Sequence, residues 1–437
     1  MTDADAPPRR PANDCFALPP GVDWIEVGDA QARLRAATPP PVCAVETTSL
    51  DASVGRVLAA DAIARRAHPA ADNSAVDGYA FAHPGGPGGA EIRLPLVAGR
   101  AAAGAAFAGE APPGAAVRIF TGAPMPAGTD TVALQEDARV EAGPDGPVVA
   151  LTLPARPGAN RRRMGENLAV GGVALPAGRR LGPAELAQAA SAGLDRLRTR
   201  APLRVAVLST GDEIVSPGAA DPNRPEQVID ANRPMLLQLL REMGCAPVDL
   251  GVAPDDRGAL EAKLAEGARA ADAVVASGGA SGGDEDHMAR ALNAAAQARG
   301  GFHLWRVAMK PGRPLALGTW EGRPVFGLPG NPIAAFVCFL LFARPALLAL
   351  AGAPWPEPRP LAVPSGFAHA KKPGRREFLR VRLGPDGRLE KFRSEGSGLI
   401  ESLIWSDGLA DLAHDAGPVA PGDPVAYLPY PLLGVRV

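Results

Sequence analysis

The sequence is poor in lysine and has no excess of basic residues. Only five of its 45 basic residues are lysines, and 47 acidic residues leave a formal net charge of −2. Proteins that bind nucleic acid or acidic membranes by charge depend on a basic excess, which this chain lacks. We therefore expect neither nucleic acid nor a membrane among its partners.

Cysteine and long apolar runs are also scarce. The four cysteines (Cys15, Cys43, Cys245 and Cys338) are far apart and form no C-x-x-C pair, which argues against a zinc cluster or a disulfide framework and fits a reducing, cytoplasmic location. The N-terminus lacks the apolar stretch of a signal peptide. The longest apolar run, Ile333–Ala343, stops at Arg344-Pro345 and is shorter than the ~20 residues of a membrane span, so it predicts a buried helix.

Glycine and proline are abundant instead. With 51 glycines and 47 prolines they make up about 22% of the 437 residues, against about 12% in average proteins. Since 46% of the residues are hydrophobic, we interpret the excess as tight loops in a folded chain. Only the Pro-rich segment 1–20 is predicted to be a disordered tail.

Two kinds of pattern follow each other along the chain. Val27–Ala37, a stretch after Ser49, and Leu181–Ala192 predict helices. Between residues 68 and 171, short apolar runs alternate with Pro-Gly turns, which predicts an all-β module. Its expected strands are Ile92–Ala98, Ala116–Phe120, Thr131–Leu134 and Val148–Leu153.

From residue 203 the pattern becomes a β-α alternation. Such alternation predicts a doubly wound, mostly parallel α/β sheet with helices on both faces. The expected strands include Leu203–Leu208, Pro247–Val252, Ala273–Ala276, 303–308, 314–318 and 324–328, and the expected helices are Pro234–Met243, Arg257–Ala268, Met288–Ala296 and 332–343. After Pro354, short strands return (Phe378–Leu383, Pro424–Leu428), so the fold class is a multidomain α/β protein with a small C-terminal β domain.

The loops that leave these strands are rich in reactive and glycine residues. They are 209–213, 254–256, 277–286, 310–314 and 328–332. Because open α/β sheets bind ligands at the carboxyl ends of their strands, we expect these loops to form one site. In SGGASGGDED (277–286), glycines allow backbone N–H groups to turn toward an anion. The alternative is a glycine-rich turn whose aspartates cap the following helix.

Three acidic residues share that edge with the glycine-rich loop. Glu213, Asp255 and Asp286 would bridge to a bound phosphate through Mg²⁺, which prefers oxygen ligands; helix capping and solvation are the alternative. Lys310 would add a positive charge, unless it only forms a salt bridge. Gly279-Ala280-Ser281-Gly282-Gly283 also matches the G-x-S-x-G pattern of serine hydrolases, with His303, His369 and His414 later in the chain. The acidic residues next to it and the missing HGGG pattern argue against that function.

Three polar segments of the β region also stand out. They are Asp72–Ala80, Thr121–Pro124 and Asn160–Asn167, the last with three consecutive arginines. Each could be an ordinary turn or solvated surface, although arginines can also hold phosphates through paired hydrogen bonds.

Seven motifs together resemble one family. DNSAVDGYA, FTGAPMPAG, NRRRMGEN, LSTGDEI, SGGASGGDED, MKPGRP and GLPGNP occur in the order found in MoeA-type molybdopterin molybdenumtransferases, which are related to the E domain of gephyrin. The resemblance runs from about residue 25 to the end. It implies an N-terminal domain made of 21–65 and 172–202, a β-rich lever domain at 66–171, a MogA-like α/β domain at 203–351 and a C-terminal β-barrel-like domain at 352–437.

The resemblance also implies an activity. The family forms homodimers whose active cleft is shared between subunits, and inserts molybdate into adenylated molybdopterin with Mg²⁺ and release of AMP. A MogA-type adenylyltransferase would be a partner. The implied catalytic residues are Asp77, Glu213, Asp255, Asp286 and Lys310, and the implied substrate-binding residues are Thr121, Arg162, Ser277, Gly278, Gly279, Ser281, Arg313 and Ser397. Glu213, Asp255 and Asp286 would hold the metal.

Two positions depart from the family pattern. Asn167 stands where the motif usually has an acidic residue, and Arg306 stands where relatives carry lysine. Arginine and lysine are not interchangeable at a tight site. These departures favour two alternatives: a paralogue with altered chemistry such as tungstate use, or a catalytically silent scaffold. A third alternative, a molybdopterin adenylyltransferase, would resemble only the 203–351 part, and the lever and C-terminal domains argue against it.

Overall fold

The computed structural model describes residues 24–278, 287–288, 290–292, 294, 303–312 and 314–435. The chain separates into two compact units. Of the described residues, the first unit combines those up to Val45 with Gly55–Val57 and those from Arg200 onward, and the second combines Glu46–Val54 with Leu58–Thr199. The tail predicted at 1–20 lies outside the described residues, and the division of residues 21–437 into four domains stays a prediction.

A seven-stranded sheet forms the centre of the first unit. Its strands lie in the order Trp24–Ile25, His303–Val307, Pro314–Trp320, Arg323–Leu328, Ala273–Ser277, Arg204–Thr210 and Ala246–Ala253. Among these strands Pro314–Trp320 alone runs antiparallel to its neighbours. The predicted, mostly parallel α/β sheet is therefore confirmed.

Helices cover both faces of this sheet. Val205 and Val207 pack into one buried cluster with the helix Asn232–Glu242. The alternate residues Ala206 and Leu208 pack into a second cluster with the helix Arg257–Ala270. Because successive side chains of a strand point to opposite faces, burial on both sides requires the continuous apolar run seen in the sequence.

The long apolar helix continues further than predicted. It comprises Pro332–Cys338, a π-helical turn Phe339–Ala343 and Arg344–Leu350. We expected it to stop before Arg344-Pro345, because a proline inside a helix lacks one N–H and clashes with the preceding turn. The wider π-turn shifts the hydrogen-bond pairing just before Pro345 and lets the helix continue. The whole stretch would span a membrane by length and composition, but 94% of its apolar window is buried inside the protein, as expected of a core helix.

A six-stranded sheet dominates the second unit. Its order is Thr131–Leu134, Gly78–Phe81, Ala116–Ile119, Glu91–Ala101, Gly146–Thr152 and Ala138–Gly143, so the predicted β module is confirmed. The helix predicted after Ser49 is wrong. Asp51–Ser53 form a single 3₁₀ turn, because Val54 leaves the helical region with a ψ of 127° and Gly55 adopts a φ of 76°, a left-handed conformation that ends helices.

Short strand pairs complete the second unit around a separate apolar cluster. Val45–Ser49 pairs with Arg196–Arg200 in one two-stranded sheet and Ala62–Ile63 with Val173–Leu175 in another. The helix Pro183–Ser191 contributes Ala189 to the same cluster as Leu58 and Leu175. The pair Asn73–Ser74 and Arg161–Arg162 is antiparallel.

A second six-stranded sheet lies in the C-terminal part of the first unit. It contains Arg376–Leu383, Leu389–Lys391, Gly408–Leu412, Pro424–Pro429 and Leu361–Pro364, together with the two-residue strand Met309–Lys310. The short helix Glu401–Trp405 lies between two of these strands in the chain. Since Met309–Lys310 comes from the α/β region, this sheet is joined to the loops of the central sheet.

Candidate active site

A cavity of about 890 Å³ lies at the carboxyl ends of the parallel strands. Thr210 and Ser277 end two adjacent strands there, and Gly330 follows a third, Arg323–Leu328. Ligands are expected at this edge of an open α/β sheet, because the loops that leave parallel strands converge there.

All six predicted site residues that the structure describes in the first unit line this cavity. They are Glu213, Asp255, Ser277, Gly278, Lys310 and Ser397. Gly279, Ser281, Asp286 and Arg313 lie outside the described residues, as does the G-x-S-x-G pattern. The loops that sequence analysis placed at one edge therefore meet, while the chemical role of each residue stays a prediction.

The two carboxylate-bearing loops of the cavity are fixed to each other. Asp212 Oδ1 accepts a hydrogen bond of 2.9 Å from the backbone N–H of Asp255, so Glu213 and Asp255 are held on adjoining loops. Gly278 has a φ of 97°, and a Cβ there would lie 2.6 Å from the carbonyl oxygen of Thr210. Glycine at 278 thus lets the strand end approach its neighbour closely.

Two helices begin at the cavity wall. Asn232 starts one and Pro332 starts the long apolar helix. Asn232 Nδ2 donates to Ser277 Oγ at 2.6 Å and to the Gly330 carbonyl at 2.7 Å, which joins three loops. Because helix N-termini carry partial positive charge, they favour an anionic ligand.

Several buried polar atoms of the cavity residues lack partners among the described residues. Ser209 Oγ, Thr210 Oγ1 and Asn232 Oδ1 have no hydrogen bond there. Buried polar groups are normally satisfied, so each unmet group calls for a further donor or acceptor. A polar ligand in the cavity would supply such groups.

Lys310 belongs to a charged network that sequence analysis did not find. Its ammonium forms an ion pair with Glu395, whose other carboxylate oxygen lies 3.2 Å from His369 Nδ1. The hydrogen bond from His369 and the nearby Lys310 charge hold the pKa of Glu395 well below its usual range. The sequence signal for Glu395 is weak: it lies two residues before Ser397 in a chain with many acidic residues.

The predicted residues of the second unit form a different cluster. Asp77 Oδ1 accepts hydrogen bonds from both the backbone N–H and the hydroxyl of Thr121, each 2.7 Å long. The backbone N–H bond, then the hydroxyl bond, lower the pKa of Asp77. Arg162 pairs with Asn73 in the short ladder, and the Ser74 N–H donates to the Ala123 carbonyl at 3.0 Å. The three polar segments singled out in the β region therefore meet.

Asn167 and Arg306, the two residues that depart from the family pattern, lie in different surroundings. Asn167 is exposed, and its backbone N–H donates to the His68 carbonyl at 3.1 Å. Arg306 lies opposite Trp24 and Pro314 in the central sheet. Within the described part of the chain, Arg306 is not among the residues that line the cavity.

The acidic residues at the cavity suit one kind of metal ion better than others. No group of three metal-ligating side chains occurs among the described residues, so an all-protein metal cage is not found there. Mg²⁺ is usually held by one or two carboxylates together with substrate phosphates and water. Glu213 and Asp255, which line one cavity, fit that pattern.

Known proteins resemble the chain over almost its whole length. Three family models match in succession: "MoeA N-terminal region (domain I and II)" at residues 25–193, "Probable molybdopterin binding domain" at 206–349 and "MoeA C-terminal region (domain IV)" at 362–430. The molybdopterin molybdenumtransferase of Haemophilus influenzae is 34% identical, with 88% of this chain and 94% of the relative covered. Molybdopterin molybdenumtransferase 2 of Mycobacterium tuberculosis is 36% identical, with 87% and 94% covered.

A solved structure agrees with these relatives. The molybdopterin biosynthesis MoeA protein of Pyrococcus horikoshii superposes with a TM-score of 0.70 at 27% identity, covering 93% of this chain and 99% of that one. The three family models together span both the cavity and the Asp77–Thr121 cluster. The chain therefore belongs to the family of MoeA-type molybdopterin molybdenumtransferases.

Proposed function

We propose that this protein inserts molybdate into adenylated molybdopterin and releases AMP, as a Mg²⁺-dependent cytoplasmic homodimer. The single observation that carries the proposal is the cavity itself. It combines two helix N-termini and Lys310 with the carboxylates of Glu213 and Asp255. The positive groups would bind a ligand with two linked phosphates, and the carboxylates would bind a divalent cation. The cation would offset the repulsion between phosphate and carboxylate.

Positively charged groups of the chain would bind the phosphates, and carboxylates would bind the metal ion. Lys310 and the helix start at Pro332 would hold the phosphates, and the Ser277–Gly278 turn would bring backbone close to them. Glu213 and Asp255 would hold Mg²⁺, which when bound stabilises negative charge on the phosphate oxygens and on departing AMP. Arg162 and the Asp77–Thr121 pair would complete the cleft from the second subunit of the homodimer.

The thiolates that capture molybdenum would come from the substrate. Burial raises the pKa of Cys338 to about 12, and burial together with Asp272 raises the pKa of Cys43 to about 11. Such thiols stay protonated at neutral pH and are poor metal ligands. The scarcity of cysteine in the sequence is therefore compatible with this chemistry.

The test is release of AMP from adenylated molybdopterin. Purified protein, molybdate and Mg²⁺ are expected to give AMP and active cofactor, and omission of molybdate or Mg²⁺ is expected to suppress the release. A MogA-type adenylyltransferase would supply the substrate. No AMP release, under conditions in which an authentic relative is active, would refute the proposal, and ATP-dependent adenylation of molybdopterin by this chain would favour the adenylyltransferase alternative.

Asn167 favours a second candidate, a paralogue with altered chemistry or a scaffold role. The change Asn167→Asp restores the acidic residue that the family motif usually has. Equal activity of both forms would show that the wild-type protein is a competent enzyme. Activity that appears only in the Asn167→Asp variant would support the second candidate, and substitution of tungstate for molybdate in the same assay tests the choice of oxyanion.

A further inference from the structure

The ammonium group of Lys310 contacts a carboxylate from the C-terminal part of the first unit. Lys310 lines the cavity, its side chain is only 13% exposed, and it forms an ion pair with Glu395. A lysine is a point charge on a flexible four-carbon stem, so its position in a binding site depends on its neighbours. Glu395 also lines the cavity, so this ion pair lies in the cavity wall.

Glu395 is in turn fixed by two further cationic groups. Its Oε1 atom accepts a hydrogen bond from Lys391 Nζ at 3.2 Å and lies 3.2 Å from His369 Nδ1. These contacts use the carboxylate oxygen that does not contact Lys310. Glu395 thus bridges the cavity lysine and a buried group of charges.

The histidine is anchored deeper in the protein. His369 Nε2 lies 2.8 Å from Glu377 Oε2, and Glu377 Oε1 accepts from Arg375 Nε at 2.9 Å. The side chains of His369 and Glu377 are 5% and 1% exposed. Burial alone would raise the pKa of Glu377, but the hydrogen bonds from His369 and Arg375 outweigh it and hold the pKa below its usual range.

The backbone explains how these residues meet. The strand Met309–Lys310 pairs in parallel with Arg376–Leu383, and Lys310 is the register partner of Glu377. Leu389–Lys391 pairs with the other end of Arg376–Leu383, and Glu395 follows it in the chain. The same sheet therefore carries the cavity lysine, the anchor Glu377 and the segment that leads to Glu395.

We propose that Glu395 and His369 are positioning residues that hold the Lys310 ammonium toward the phosphate groups of the substrate. The inference rests on the proposed function for the identity of that substrate. Glu395 acts directly on Lys310, and His369 acts through Glu395. Neither residue needs to touch the reacting atoms.

The histidine makes this arrangement sensitive to pH. The groups that face its ring are Glu377, Glu395 and Lys391. Doubly protonated His369 donates to Glu377 and Glu395 at once, whereas the neutral ring keeps one donor and turns Nδ1 into an acceptor, for which Lys391 at 3.4 Å is the available donor. The hydrogen bonds to Glu377 and then Glu395 raise the pKa of His369, so the hold on Glu395 is present below that raised pKa and is lost as pH rises through it.

The test compares Glu395→Gln and His369→Gln with Glu390→Gln. Glu390 is the matched control, because it pairs with Arg382 on the neighbouring strand and both side chains are more than two-fifths exposed. We expect Glu395→Gln to lower kcat for AMP release about tenfold or more. Its KM should not rise, since the cavity loses a negative charge while it binds an anion. His369→Gln is expected to remove the alkaline decline of kcat that the wild-type protein shows, and Glu390→Gln to retain it.

Each outcome separates this inference from the proposed function. A wild-type protein that releases no AMP refutes the function before any variant is compared. An active wild-type protein whose Glu395→Gln variant matches Glu390→Gln in kcat and in pH profile refutes the positioning role. A loss of thermal stability with unchanged kcat per folded molecule would also refute it. If His369→Gln fails to fold, the less buried Glu395→Gln variant still decides the question.

Discussion

The cavity of the first unit and the Asp77–Thr121 cluster of the second unit hold their charged groups in different ways. In the cavity, Lys310 is tied through Glu395 and His369 to a buried anchor. In the second unit, Asp77 is held by a turn residue, Thr121, which is exposed. The cavity thus has the features of a site that orients a charged ligand. The second cluster is a set of turns that presents polar groups, and in the proposed homodimer it completes the cleft of the other subunit.

Removal of the cavity lysine is expected to give the largest loss of activity. Lys310→Ala should lower AMP release about 100-fold or more, since one preorganised donor to developing charge contributes effects of that size. The control is Lys263→Ala on the helix Arg257–Ala270, where Lys263 pairs with Glu266. Initial rates at saturating substrate measure the effect, and similar rates for the two variants would remove Lys310 from the mechanism.

Mixing two inactive variants tests whether the two regions complement each other between subunits. Lys310→Ala and Asp77→Ala homodimers should each be nearly inactive. After denaturation and joint refolding, random pairing would leave about a quarter of all sites with both wild-type residues in a twofold-symmetric dimer, and about that share of activity should return. Mixing without subunit exchange is the control. Persistent inactivity in confirmed heterodimers would mean that each chain carries its site alone.

The carboxylates of the cavity should control the need for Mg²⁺. Asp255→Asn is expected to raise the Mg²⁺ concentration for half-maximal activity about tenfold, because an amide lacks the negative charge that attracts the ion. Asp256→Asn is the neighbouring control, since Asp256 caps the helix Arg257–Ala270 by accepting from the Ala259 N–H at 2.8 Å and asparagine caps equally well. Magnesium titrations of AMP release would show the shift, and equal shifts in both variants would contradict a metal role for Asp255.

The turn at Gly278, which lines the cavity, should be sensitive to a single methyl group. The control is Gly218→Ala, which is expected to lower the free energy of unfolding by about 1 kcal/mol, because Gly218 has a φ of 81° and open space around it. Gly278→Ala should lower it by about 1–3 kcal/mol more, because its Cβ would overlap the Thr210 backbone. Urea unfolding of both variants measures the difference. Equal losses would show that the loop moves aside without cost.

Sequence patterns predicted the central sheet well because its strands are buried on both faces. The apolar run 203–208 and the helix Val27–Ala37 correspond closely to the observed elements. The Glu395–Lys310 contact could not be predicted in this way. It depends on a two-residue strand, Met309–Lys310, that pairs with Arg376 and Glu377 far along the chain, and no local periodicity marks so short a strand. The π-turn before Pro345 was missed for a related reason, since tertiary packing overrides a local helix-breaking signal.

The same limit applies to the candidate site. Loops after strands predicted where Glu213, Asp255, Ser277 and Lys310 would gather, because parallel strands deliver their carboxyl ends to one edge. The resemblance supplied Asp77, Thr121 and Arg162. Asn232, which joins three loops through its side-chain amide, was visible only as the start of a helix, since its partners are set by the fold.

A structure of the protein with adenylated molybdopterin and Mg²⁺ bound would decide whether the cavity is the active site. We expect the phosphates to lie in the cavity within hydrogen-bond distance of Lys310 Nζ, and the metal ion to contact carboxylate oxygens of Glu213 or Asp255. We also expect Glu395 to keep its contact with His369. A ligand bound elsewhere, or phosphates that leave Lys310 without contact, would refute the proposed site.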